Sequence, residues 1–205
     1  MTIETPCVFL VDCDPATLSL WGEIVGSAGH RTEACAQPDK LLQRLTLHNR
    51  GCFVVHFTMP QFNGLGFLRA LRQIGVRMPV IFVSNNADVP SAVAAMKAGA
   101  HDFLVQPVQP RDLCEAVARA IEKDREVSRK RNIRIHARTL WAALSPRERE
   151  VCRLLARGLA DKQIAAELGT APPTVQAQRI KAFQKLHVAS AAELVELLVH
   201  AADSE

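Results

Sequence analysis

The sequence predicts an α/β fold in its first part, a (βα)5 doubly wound parallel-sheet domain. A helical linker and an all-α helix-turn-helix domain follow. Three observations carry that prediction. Five short apolar segments alternate with helical patterns over residues 1–121, the rhythm of βα units. One of them, Cys52-Phe53-Val54-Val55, is apolar at four successive positions, as a strand buried on both faces of a parallel sheet must be. From Leu144 onward no strand pattern recurs, and compact helical patterns flank a tight Gly169-to-Pro173 turn. The boundaries that follow are 1–121, 122–142 and 143–205.

Element by element, strands are expected at 7–11, more weakly at 32–35, then at 52–55, 80–83 and 103–105. Amphipathic helices are expected at 16–28, 65–73, 89–98 and 112–121. Gly29, Gly51, Gly75 and Gly99 fall where helices should stop, the usual place for glycine after a helix C-terminus. Residues 111–138 have few breakers, so the last helix of the sheet domain should run on as a connector. Val117, Ile121 and Val127 give a partial apolar stripe that Arg131 and Arg134 interrupt, which argues against a long coiled coil. In the C-terminal part, Ser145 and Glu148 fit a capping box with Pro146 at the first helical position. That helix should reach Arg157 and stop at Gly158; the next runs over 161–168, a third starts at Pro172-Pro173 and a fourth at Ala191.

Composition narrows the class. The chain has 205 residues, 48% hydrophobic and 22% charged, ordinary values for globular protein. No apolar run approaches the roughly 20 residues that cross a bilayer, and Met1 to Glu4 lack an export signal's basic and apolar regions. A cytoplasmic location with no membrane partner is expected. The six cysteines (Cys7, Cys13, Cys35, Cys52, Cys114 and Cys152) show no paired spacing, so free thiols are expected. Charge is unevenly placed. From Glu122 to Ser145 seven basic residues face three acidic ones, which accounts for the net +4 of the chain. Such a segment favours an anionic partner, though a solvated basic helix has the same composition.

The first domain resembles the receiver of bacterial response regulators. The resemblance rests on Cys52 to Pro60, with Met59-Pro60 and Asn63-Gly64 after the apolar strand, on Val11-Asp12-Cys13-Asp14-Pro15, on Phe82-Val83-Ser84 and on Phe103 with Val105-Gln106-Pro107. It implies an acidic pair holding Mg²⁺, an aspartate that accepts a phosphoryl group, a hydroxyl, an aromatic that moves on switching, a lysine and a cis peptide before Pro107. Here Asp12, Ser84 and Phe103 match. Cys13 replaces the second acid, with Asp14 one position late; His56 replaces the phosphoacceptor and Gln106 the lysine. Imidazole forms no acyl phosphate, Cys and His suit Mg²⁺ poorly, and a neutral amide cannot offset phosphate charge. The expectation is a receiver without aspartyl phosphorylation, with no cofactor and no metal.

Other uses of the pocket stay open. Asp12, Cys13 and His56 are zinc-type ligands, an imidazole such as His56 is the side chain that pH sensors use, Cys13 is open to oxidation where its thiolate is favoured, and His56 can itself be phosphorylated. The alternative function is therefore a metal, redox or pH sensor.

The C-terminal domain is similar to the LuxR/NarL-type helix-turn-helix through Leu144 to Val151, Leu155 to Gly158, Lys162-Gln163-Ile164-Ala165, Leu168-Gly169, Thr174-Val175 and Lys185-Leu186. Joined to the receiver, the layout resembles the FixJ subfamily. The resemblance implies that the third helix of this domain enters the major groove of double-stranded DNA. Gln176, Ala177 and Ile180 are expected to face bases, with Arg179, Lys181, Lys185, Lys162 and Thr174 on phosphates. Pro173, Gln176, Ala171 and His187 depart from the family pattern. Ala171 stands at a capping position where loss of a hydroxyl costs about 1 kcal/mol. The expected protein is a dimeric transcriptional regulator acting without phosphorylation, with RNA polymerase or another regulator as a further partner; nothing points to an enzyme.

Overall fold

The computed structural model describes residues 5–59, 62–85 and 88–202. Pro60, within the predicted loop motif, and Met1 to Glu4 lie outside them. The described residues form two compact units divided between Val127 and Ser128.

In the first unit, β1 (Cys7–Val11), β2 (Arg31–Cys35), β3 (Gly51–His56), β6 (Val80–Ser84) and β7 (Asp102–Val105) form one parallel sheet, ordered β2-β1-β3-β6-β7. The strands carry one apolar set on each face because side chains alternate along a strand. Phe9, Val11, Phe53, Val55, Val80 and Phe82 share one core with Leu41, Phe67, Leu68 and Leu71. These come from α2 (Pro38–Arg44) and α3 (Gly64–Gln73). Val8, Leu10, Cys52, Val54, Ile81 and Val83 share the opposite core with Leu18, Trp21, Val25, Leu113, Val117 and Ile121, from α1 (Pro15–Ser27) and the start of α5 (Pro110–Ala142). All five residues of both β1 and β6 are buried, which explains why Cys7 to Val11 and Val80 to Val83 read as unbroken apolar runs.

Two features of this unit escaped the sequence. Helix α2 has seven residues and buries one leucine, Leu41, too little for a periodic pattern to register. A short antiparallel pair, β4 (Thr58–Met59) with β5 (Phe62–Asn63), follows β3. One expectation is overturned. Gly29, Gly75 and Gly99 take positive φ just past helix ends, but Gly51 opens β3 after α2 has already ended at Arg44. Its φ is 119°, and a Cβ there would stand 2.0 Å from the Cys7 carbonyl oxygen. The glycine is required by backbone contact with β1.

Helix α5 runs for 33 residues without a break, as the lack of breakers predicted. In the second unit, Ala137 on this helix is buried, and Leu140 and Trp141 pack against a core of Leu144, Val151, Leu155, Ile164, Val175, Ala182, Leu186 and Leu194. That core joins α6 (Pro146–Ala156), α7 (Asp161–Glu167), α8 (Pro172–Leu186) and α9 (Ala191–Ala202). The capping box forms as predicted: Ser145 Oγ accepts from the Glu148 N–H at 3.2 Å and Glu148 Oε2 accepts from the Ser145 N–H at 2.7 Å. Arg149 donates to the carbonyls of Trp141 and Ala142, which fastens the end of α5 to α6. No helix among the described residues is long and apolar enough to cross a membrane.

Candidate functional site

Parallel strands bring their carboxyl ends to one edge, and open α/β sheets do their chemistry there. Asp12 follows β1, His56 ends β3, Ser84 ends β6, and Phe103 and Gln106 lie in and just after β7. The register sets Val11 beside Val55, His56 beside Val83 and Ser84 beside Val105. Asp12 and Ser84 are buried, His56, Phe103 and Gln106 half-buried, and Cys13 and Asp14 exposed.

His56 Nε2 lies 2.8 Å from Asn85 Oδ1; an amide oxygen accepts, so Nε2 carries the proton. The other ring nitrogen, Nδ1, is buried with no hydrogen-bond partner among the described residues. Asn85 went unnamed in the sequence reading. Pairing of β3 with β6 aligns His56 with Val83, and the chain leaving Ser84 then passes the imidazole.

Asp14 does not serve as the second acid that the receiver resemblance implies beside Asp12. Its carboxylate caps α1, accepting from the N–H groups of Ala16 at 3.2 Å and Thr17 at 3.0 Å and from the Thr17 hydroxyl at 2.6 Å. The Thr17 hydroxyl, ahead of the backbone bonds, lowers its pKa. Asp12 Oδ1 in turn accepts the Asp14 N–H at 3.0 Å. Desolvation, then the charge of Asp12, raises the Cys13 thiol above its ordinary value, which disfavours the thiolate that redox chemistry needs. Mg²⁺ wants several oxygen ligands. One buried carboxylate beside a cysteine and a histidine does not fit that requirement. Among the described residues no group of three or more His, Cys, Asp or Glu side chains is placed to hold any metal ion.

Three rings form a chain beneath this edge. Phe103 meets Phe57 at 5.2 Å and 71°, and Phe57 meets Phe82 at 5.3 Å and 79°, edge-to-face geometries worth about 0.5–1.5 kcal/mol each. Gly64 is held close against them, since a Cβ there would stand 2.8 Å from the Phe82 ring. The Gln106 N–H donates to the Ser84 carbonyl at 2.8 Å, and the Gln106–Pro107 peptide is cis.

On the second unit, α8 buries Val175, Ala182 and Leu186, positions i, i+7 and i+11 on one stripe. Thr174, Gln176, Ala177, Ile180 and Lys181 are exposed; Ala177, Ile180 and Lys181 lie on the face opposite that stripe, and Thr174 and Gln176 on its two flanks. Ile180 is 49% exposed, a large apolar surface on that face. Ala171 makes no side-chain cap, and His187 ends the helix in the left-handed region at φ 55°.

The cations divide into two sets. Lys162 and Lys181 are exposed and make no ion pair among the described residues. Arg179 is held by Asp161 at 3.1 Å, and Lys185 Nζ sits 2.7 Å from Glu148 Oε2, so both already serve the domain's own carboxylates. Glu148 is only 3% exposed. The Lys185 hydrogen bond is the largest influence on its carboxyl and, with the Ser145 bonds, lowers its pKa against the cost of burial.

Comparison with known proteins gives concordant results. Residues 8–118 match the family described as "Response regulator receiver domain" and residues 142–198 that described as "Bacterial regulatory proteins, luxR family". The chain is 33% identical to nodulation protein W of Bradyrhizobium diazoefficiens, over 93% of this chain and 84% of that protein. It is 34% identical to the transcriptional regulatory protein FixJ of Azorhizobium caulinodans, over 95% and 92%. Among solved structures, the response regulator StyR superposes with a TM-score of 0.88 at 34% identity, covering 95% of this chain and 98% of that one.

Proposed function

Because this chain belongs to the response regulators that join a receiver domain to a LuxR-family DNA-binding domain, we propose that it regulates transcription as a DNA-bound homodimer whose receiver takes no aspartyl phosphate. Residues 1–121 are the receiver, 122–142 the linker and 143–205 the DNA-binding domain. One observation carries the loss of phosphoryl chemistry: His56 occupies the end of β3, where the resemblance calls for the acceptor carboxylate, and its Nε2 is engaged by Asn85. The residues around it agree. Asp12 has no second acid beside it, Asp14 caps α1, and Gln106 carries no charge. With Phe103 resting on Phe57, the receiver stays in one arrangement, because only a ligand that binds two states unequally can shift them.

On the DNA side, Gln176, Ala177 and Ile180 read base edges. Gln176 suits adenine, and Ile180 suits a thymine methyl. Lys162, Lys181 and Thr174 contact phosphates; Arg179 and Lys185 reach them only by sharing their carboxylate partners. RNA polymerase or another regulator is the further partner through which the bound dimer acts. Acetyl phosphate tests the reading. The intact mass of the treated protein should show no stoichiometric phosphoryl adduct, and DNA affinity in a gel shift should not change. A stable adduct that raises affinity severalfold overturns it. A metal, redox or pH sensor has less support here, given the raised Cys13 thiol and the lack of a ligand cluster among the described residues.

A further inference from the structure

We propose that the outermost edge of α8, formed by Pro173, Ala177 and Ile180, reads the C5-methyl groups of thymines in the major groove, so that operator choice rests on apolar contact more than on hydrogen bonds. The inference rests on the DNA-binding reading above and deepens it. It names the chemical group that is recognised and adds Pro173 to the base-facing set.

Three observations carry it. The first is position. At about 100° per residue, Pro173, Ala177, Ile180 and Gln184 fall within an arc of about 60°, opposite the buried stripe of Val175, Ala182 and Leu186. All four are exposed, and Ile180 is 49% exposed. The ridge that reaches furthest into a groove is therefore apolar from Pro173 to Ile180. Second, the groups that read guanine lie elsewhere. Arg179 stands only about 40° around the helix from the buried stripe and is held by Asp161 at 3.1 Å. Lys185 stands about 80° from it and is held by Glu148 at 2.7 Å. A bidentate arginine, the commonest reader of guanine, is thus absent from the ridge. Third, the helix opens on rings instead of donors. Pro172 and Pro173 carry no N–H, and the Thr174 N–H donates to the Ala171 carbonyl at 3.0 Å.

Thymine is the base that this chemistry fits, because it alone of the four shows a methyl group in the major groove. Pro173 to Ile180 spans about 10 Å along the axis, about three steps of a duplex that repeats every ~3.4 Å. The adenine that suits Gln176 pairs with thymine, so the amide and the ridge favour the same base pairs. A protein partner fits less well. A standard interface buries about 800 Å² on each side, more than three side chains supply when one of them is alanine.

The test uses the full chain. Duplexes selected in vitro from a random pool supply the operator. Deoxyuridine then replaces its thymines one at a time, which removes a methyl and leaves every hydrogen-bonding group in place. Affinity is read by fluorescence anisotropy at fixed salt. Selected duplexes should carry thymine at adjacent steps, and each deoxyuridine there should weaken binding about fourfold, the effect of one buried methyl group. Ile180→Ala should erase the difference between thymine and deoxyuridine at one step. Lys181→Gln should weaken binding to both duplexes equally and keep their ratio. Circular dichroism spectra and melting curves check that both variants fold. Equal affinity for thymine and deoxyuridine duplexes overturns the proposal, as does guanine selected at the contacted steps. A methyl effect that Ile180→Ala leaves intact at every step overturns it too, by assigning the effect to the duplex. If no duplex is selected at all, the DNA-binding reading fails as well.

Discussion

Replacing Lys185 with alanine separates a structural from a DNA-contacting role for this residue. In the folded domain Lys185 Nζ is 2.7 Å from a Glu148 carboxylate whose side chain is 4% exposed. Breaking a fully buried pair costs about 3–5 kcal/mol. The lysine side chain is 44% exposed, so water replaces much of the lost interaction, and Glu148 keeps its Ser145 N–H bond. An expected loss of about 1–2 kcal/mol follows. Glu148 has a folded pKa below its unfolded value, chiefly through Lys185. Its contribution is therefore present above the unfolded pKa, near 4.5, and disappears as pH falls through the lower folded value. The two sequences should differ most near neutrality and converge in acid. Of the two tryptophans, Trp21 lies in the first unit and Trp141 in the second, so a Trp21→Phe background makes emission report on the DNA-binding domain. In urea, with m near 1 kcal/mol/M for so small a unit, the midpoint should fall by about 1–2 M at pH 7. An unchanged midpoint together with lost DNA binding would refute the structural role and return Lys185 to the phosphate contacts.

Four further outcomes are expected. His56→Asp alone should gain no acetyl-phosphate adduct by intact mass, whereas the triple change with Cys13→Asp and Gln106→Lys should; labelling of the single variant would show that one carboxylate suffices. Gly51→Ala should destabilise the receiver by at least about 2 kcal/mol, since φ is 119° and the new Cβ meets the Cys7 carbonyl; Trp21 emission in urea reads it. His187→Gly should raise the stability of the DNA-binding domain by about 0.5–1 kcal/mol, by relieving a left-handed residue at the end of α8. Gln176→Ala should cost about 1–3 kcal/mol on the selected operator but little on mixed-sequence DNA, as competition binding will show.

The receiver fold was legible because its evidence is local and repeated. Strands such as Cys7–Val11 and Val80–Ser84 are buried on both faces, and so print apolar runs, Cys7 to Val11 and Val80 to Val83, into the chain. Ser145, Glu148 and Pro146 announced α6 because capping links residues three positions apart. Helix α2 stayed hidden because seven residues with one buried leucine carry no period. Gly51 was misread because glycine marks every backbone that side chains cannot share, and only the neighbouring β1 shows which one this is.

By itself the sequence determined the chemical identities at the sheet edge: an imidazole at the end of β3 and a neutral amide just after β7, at positions where the receiver resemblance implies a carboxylate and a lysine. Those are properties of side-chain atoms, and no folding alters them. Tertiary structure decided which groups meet. It set Asn85 against His56, drew Asp14 into the cap of α1, and tied Lys185 to a glutamate 37 positions earlier. Such pairings depend on distance in space between residues far apart in the chain. A lysine destined for a buried carboxylate and one destined for a phosphate are the same letter until the fold brings the partner within 3 Å.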